Sequence, residues 1–110
     1  MSHYLLRWQF SQSTMQSFAE KPQNRTQAAG ALIEGFGGKL LSYYFAFGDY
    51  DGIAICEFPD AISVAACSLK AASTGAFTRF ETMPLLTAAE AETAMQKVKS
   101  STVAYQAPNA

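Results

Sequence analysis

Alternation of apolar and polar positions with a period of two opens the chain. In His3 to Phe10, Tyr4, Leu6, Trp8 and Phe10 share one side, and His3, Leu5, Arg7 and Gln9 the other. The same rhythm returns in Lys39 to Phe58, two aromatic and β-branched runs around Gly48-Asp49, which reads as one hairpin. A two-residue turn there sets Phe47 against Tyr50, Ala46 against Asp51, Tyr44 against Ile53 and Ser42 against Ile55. That register predicts a core face of Leu41, Tyr43, Phe45, Phe47, Tyr50, Gly52, Ala54, Cys56 and Phe58. The opposite, open face receives Leu40, Ser42, Tyr44, Ala46, Asp51, Ile53, Ile55 and Glu57. A fourth strand is expected over Ala76 to Met83, Phe80 and its parity mates Thr78 and Thr82 inward, with Pro84 ending it.

Helical spacing fills the intervals. Ser13-Thr14-Met15-Gln16 has the form of a capping box and starts a short helix that ends before Pro22. A second helical piece runs from about Pro22 or Asn24 to Phe36, with Ala29, Leu32, Ile33 and Phe36 as its stripe and Gly37-Gly38 as its stop. Asp60 caps a third helix, for which Ile62, Ala65, Ala66, Leu69 and Ala72 are expected to be buried, and Gly75 ends it. Thr87-Ala88-Ala89-Glu90 is a second capping box. It begins a last helix to about Lys99 with Ala91, Ala94, Met95 and Val98 as its stripe.

The order β-α-β-β-α-β plus a terminal helix predicts an α+β, ferredoxin-like fold, its first α position split in two. Right-handed crossovers put the covering helices on one face of an antiparallel sheet with the order fourth, first, third, second strand. Residues 1–99 are expected to form one domain, and 100–110 a mobile tail. The open face carries Leu5, Leu40, Tyr44, Ile53 and Ile55, too much contiguous apolar surface to leave wet. A homodimer packed sheet to sheet, or a higher oligomer built on it, would hide that surface.

Composition narrows the function classes. Hydrophobic residues make up 49% of the chain and charged ones 15%, which suits a packed domain that covers surface in an oligomer. A net charge of −1 with scattered basic residues gives no footprint for nucleic acid or an acidic membrane. The βαββαβ order is shared with RNA-recognition modules, but their basic-aromatic strand motif is missing. Cys56 and Cys67 lack metal or redox spacing and read as small buried hydrophobes; with a single histidine, neither a metal nor a cofactor is expected. No signal peptide or apolar run of membrane-spanning length is apparent, and a cytoplasmic location is expected.

Candidate chemistry gathers on the open face. His3 has the only side chain whose ordinary pKa suits proton transfer near neutrality. Tyr44 and Asp51 are the other candidate catalytic groups, and Arg7 is the natural clamp for an anion. Ser42, Ile53, Ile55 and Glu57 would line the same space and touch a substrate. Each has a plainer reading. Asp49 serves the turn, Asp51 holds backbone donors, Tyr50 packs in the core, and Arg7 and Glu57 neutralise each other in a dimer seam.

The motif Tyr44-Phe45-Ala46-Phe47-Gly48-Asp49-Tyr50-Asp51 adds a further indication. Together with Tyr4-Leu5-Leu6, Gly37-Gly38-Lys39, Pro59-Asp60, Gly75-Ala76 and Pro84-Leu85-Leu86-Thr87, it resembles the GYD domain family of small bacterial and archaeal proteins, over residues 3 to 99. That resemblance implies a dimeric α+β barrel and supplies no catalytic residue. Related barrels include cofactor-independent monooxygenases, muconolactone isomerase-like enzymes, haem-handling and stress-response proteins, an analogy of fold alone. The expected function is binding of a small metabolite in a cavity on the open sheet face. The alternative is a cofactor-independent isomerase, lyase or monooxygenase acting there on a small aromatic or carbonyl compound.

Overall fold

In the computed structural model, which describes residues 1–109, eight elements follow one another: β1 (Ser2–Phe10), α1 (Gln12–Glu20), α2 (Thr26–Gly35), β2 (Lys39–Phe45), β3 (Gly52–Phe58), α3 (Ala61–Ala72), β4 (Phe77–Leu85) and α4 (Ala88–Ser100). Ala110, the last residue of the expected tail, lies outside the described residues. The strands form one antiparallel sheet in the order β2-β3-β1-β4, the expected ferredoxin-like topology.

The parity of β1 holds along its whole length. Tyr4, Leu6, Trp8 and Phe10 are buried together with Ala54, Cys56, Phe58, Ile33, Val64 and Cys67. Trp8 is the hub of this core, stacked on Phe80 with ring centroids 5.9 Å apart and tilted against Tyr43 at 5.6 Å. So large an indole fits because Gly52 faces it; a Cβ on Gly52 would sit 2.4 Å from the ring.

The hairpin keeps the expected pairing in its middle, Tyr44 with Ile53 and Ser42 with Ile55, and departs from it at both ends. Toward the bend, Ala46 N–H donates to Asp51 C=O at 2.9 Å and closes a wider loop over Phe47 to Tyr50. A tight type I′ or II′ turn needs positive φ, and neither Gly48 nor Asp49 has it. Phe47 is consequently 95% exposed instead of core-facing, and Tyr50 turns to the open face. At the far end the register shifts between Leu40 and Ser42, so Leu40 packs on the core and Leu41 stands exposed, reversing their expected places.

A second irregularity lies where β4 meets β1. Phe10 pairs with Phe77 but Gln9 with Arg79, leaving Thr78 as the extra residue. This lets Phe77 and Phe80 both face the core, where strict alternation would have turned Phe77 out. The strand also continues through Pro84, which an edge position tolerates because no neighbour needs its missing N–H.

The helix caps follow local chemistry. Ser11, two residues before the expected cap Ser13, caps α1 by accepting from Thr14 N–H at 3.3 Å. Gly37, with φ of 84°, ends α2 in the left-handed conformation; its N–H reaches Glu34 C=O and that of Gly38 reaches Ile33 C=O. Asp60 caps α3 through Ser63 N–H at 2.7 Å, and the Thr87/Glu90 capping box is complete. The buried stripe of α3 is Val64, Cys67 and Ala71, while Ile62 and Leu69 are 82% and 70% exposed. The helix is apolar on more than one side, and the expected stripe was the outward one. Helix α4 buries none of its residues, so Ala94, Met95 and Val98 stand open to solvent. The chain has a long dimension of 59 Å and a radius of gyration of 17.7 Å, against roughly 13 Å for a compact chain of this length.

Candidate functional site

Cross-strand pairing arranges the open face in rows. His3 lies beside Glu57 and Leu85, Leu5 beside Ile55 and Met83, and Arg7 beside Ile53 and Glu81. Through β3 these rows reach Ser42 and Tyr44. Arg7, Ser42, Tyr44, Ile53, Ile55 and Glu57 therefore do share one face. His3 Nε2 lies 3.3 Å from Glu57 Oε1 at one end of it. Arg7 does not pair with Glu57: its Nε donates to Glu81 Oε2 at 2.6 Å, because β4 supplies a nearer carboxylate on the same row.

At the other end a closed network forms around a tyrosine that strand parity had assigned to the core. Tyr50 O–H donates to Glu81 Oε1 at 2.7 Å and accepts from Arg79 Nη2 at 2.6 Å. The Arg7 and Arg79 guanidinium carbons lie 4.2 Å and 4.7 Å from the centre of its ring. The hydrogen bonds from Tyr50 and Arg7 hold the Glu81 carboxyl below its ordinary pKa, and the Glu81 bond pushes the Tyr50 phenol above its own. Asp51 looks elsewhere. Its Oδ2 accepts the Phe10 backbone N–H at 2.9 Å and satisfies the end of β1.

The three candidate proton-moving groups are thus not brought together within one chain. His3 and the Phe10 amide held by Asp51 are seven residues apart on β1, roughly 24 Å at strand rise. Tyr44 stands 67% exposed between them.

The concave space lies on the other side of the sheet. A cavity of about 400 Å³ opens between the core face and helices α1, α2 and α3, walled by Trp8, Phe10, Phe18, Leu32, Phe77 and Phe80 among others. Its hydroxyls are largely spent on backbone: Thr14 on Ala76 C=O, Ser17 on Thr14 C=O, Thr74 on Ala71 C=O. Three polar groups line it besides these, Gln23, Arg25 and Tyr43. The indole N–H of Trp8, which is 5% exposed, has no hydrogen-bond partner. Burial pushes the Tyr43 phenol up, with the positive charge of Arg25 pulling the other way.

Cys67 also lines the cavity, and burial raises its pKa; burial and Cys67 together push Cys56 up to about 12. Both are neutral thiols at physiological pH, which fits packing and not nucleophilic work. Among the described residues no group of three or more His, Cys, Asp or Glu side chains is placed to hold a metal ion, and no helix is long and apolar enough to cross a membrane.

Sequence reasoning passed over this cavity because Gln23 and Arg25 sit on the α1–α2 connection, where no periodicity marks them. The orphaned Trp8 donor was also out of reach, since it depends on who its neighbours are. No curated protein matches the chain. The model of the GYD domain matches residues 4–95, and the chain, with its glycine-bounded hairpin and Tyr50 network, belongs to the GYD domain family.

Proposed function

We propose that the protein binds a small, largely apolar metabolite between its sheet and its helices, and that it does so as a homodimer closed through the open sheet face. The cavity carries this reading. About 400 Å³ is the size of a small-molecule site, and most of its walls are aromatic or aliphatic. This moves the ligand from the open face, where it was expected, to the covered one.

The open face is then free to serve association. Leu5, Ile53, Ile55 and Met83 lie side by side on adjacent strands, the first three half-buried and Met83 exposed. A C2 pairing would bury them, and Arg7 and Arg79 beside them are already engaged by Glu81. Binding is favoured over catalysis because His3, Tyr44 and Asp51 do not converge on one point in one chain and none of them lines the cavity.

Native mass spectrometry of the protein isolated from cell extract tests both parts. The expected result is a dimer in which each copy carries a small adduct that is lost on denaturation. Ala29→Phe, which fills the cavity from α2, is expected to lose the adduct and keep the dimer, and Ile55→Glu to do the reverse. An adduct retained by Ala29→Phe would place the ligand elsewhere, and a monomer at micromolar concentration would remove the dimer.

A further inference from the structure

We infer that the ligand of this cavity is an amphipathic anion, an aromatic or aliphatic monocarboxylate whose charged end is held by Arg25 and whose body lies against Trp8. The inference rests on the cavity reading above and adds the chemical class. Among the residues that line the space there is no Asp or Glu, and the one fully charged side chain is Arg25. Among the described residues Arg25 has no carboxylate partner, whereas Arg7 and Arg79 are both engaged by Glu81. Its Nη1 donates to Gln23 Oε1 at 3.1 Å, which steadies the guanidinium without neutralising it.

The surroundings agree in sign. Arg25 is the residue that precedes α2, a ten-residue helix with no acidic side chain in its first turn, so the positive end of the helix dipole is uncompensated there. Arg25 and Gln23 also line a second, more polar hollow that continues from the cavity along Thr26, Tyr43 and Tyr44. A carboxylate at this mouth would meet a guanidinium fork suited to planar anions, with no acidic side chain lining the hollow. Deeper in, the walls are apolar or aromatic apart from Thr14, Ser17 and Thr74, whose hydroxyls are spent on backbone carbonyls. A cation would meet Arg25, and a sugar would leave most of its hydroxyls without partners.

Trp8 is the only tryptophan, so intrinsic fluorescence reads occupancy directly. The probes are 3-phenylpropionate, 3-phenylpropanol and 3-phenylpropylammonium, which share one body and differ in end-group charge. Wild type is expected to bind the acid at least about tenfold more tightly than the alcohol, the scale of one charge-assisted hydrogen bond, and the amine least. Arg25→Gln, a change at an exposed position, is expected to erase that preference and leave the affinity for the alcohol unchanged. Equal binding of all three probes by wild type, or an acid preference that survives Arg25→Gln, would overturn the anion assignment while the cavity reading stands. No binding of any probe at millimolar concentration, with the same spectrum in wild type and Ala29→Phe, would overturn the cavity reading and this inference with it.

Discussion

Tyr50 gives its phenolic hydrogen to Glu81 across 2.7 Å and so ties the hairpin loop to the edge strand β4 over the top of Arg7 on β1. The two groups shift each other in opposite senses, which makes the link readable by titration. Glu81 is held below its ordinary value, so its contribution is present above the ordinary carboxylate pKa and lost as pH falls through the lower folded value. Tyr50 is raised, so its contribution is present below the ordinary phenol pKa and lost as pH rises through the folded value. Melting temperature measured against pH should fall at both extremes; Glu81→Gln should flatten the acid limb and Tyr50→Phe the alkaline one. An acid limb unchanged in Glu81→Gln would mean the network contributes nothing there.

Asp51 is expected to act on stability. Its carboxylate accepts the Phe10 amide hydrogen at 2.9 Å, and Asp51→Ala would leave that donor without a partner at a cost of about 1–3 kcal/mol. Asp51→Asn keeps an acceptor oxygen and should cost less. Urea denaturation of the two variants checks the order.

Gly52 is expected to tolerate nothing larger. A methyl group there would lie 2.4 Å from the Trp8 ring, and moving the indole away would disturb its packing on Phe80 and Tyr43. Gly52→Ala should destabilise by about 1–3 kcal/mol and shift the Trp8 emission. Unchanged emission and stability would show that the indole has room to move.

The two thiols should be silent in the native protein. With Cys56 pushed up to about 12, its thiolate fraction at pH 8 is on the order of 10⁻⁴, and Cys67 is raised as well. Iodoacetamide followed by intact mass measurement should show no label before denaturation and two after it.

Where one face of an element is apolar and the other polar, the chain announces its structure. The alternation of β1 and the capping residues Asp60 and Thr87 could be read without coordinates, and so could the middle of the hairpin. Ambiguity arose where apolar residues adjoin. Leu40-Leu41 fits either parity, and only the register shift decides which leucine enters the core. Phe77 and Phe80, an odd number of positions apart, cannot both face inward in a regular strand, and the extra residue Thr78 resolves the conflict. In α3 a chain apolar all round offered two stripes, and volume against the sheet chose the one with Val64 and Cys67. The candidate site was the least legible part. Arg25 gains its meaning from the void beside it, and a void is a property of packing.

Both outer strands of the sheet are irregular. β2 shifts register at Leu41, and β4 holds an extra residue at Thr78 and a proline at position 84. A strand from another molecule laid along either border would find its ladder interrupted within a few residues, which blocks the runaway polymerisation that open sheet borders invite. The proposed pairing through the broad face would therefore not seed a fibril.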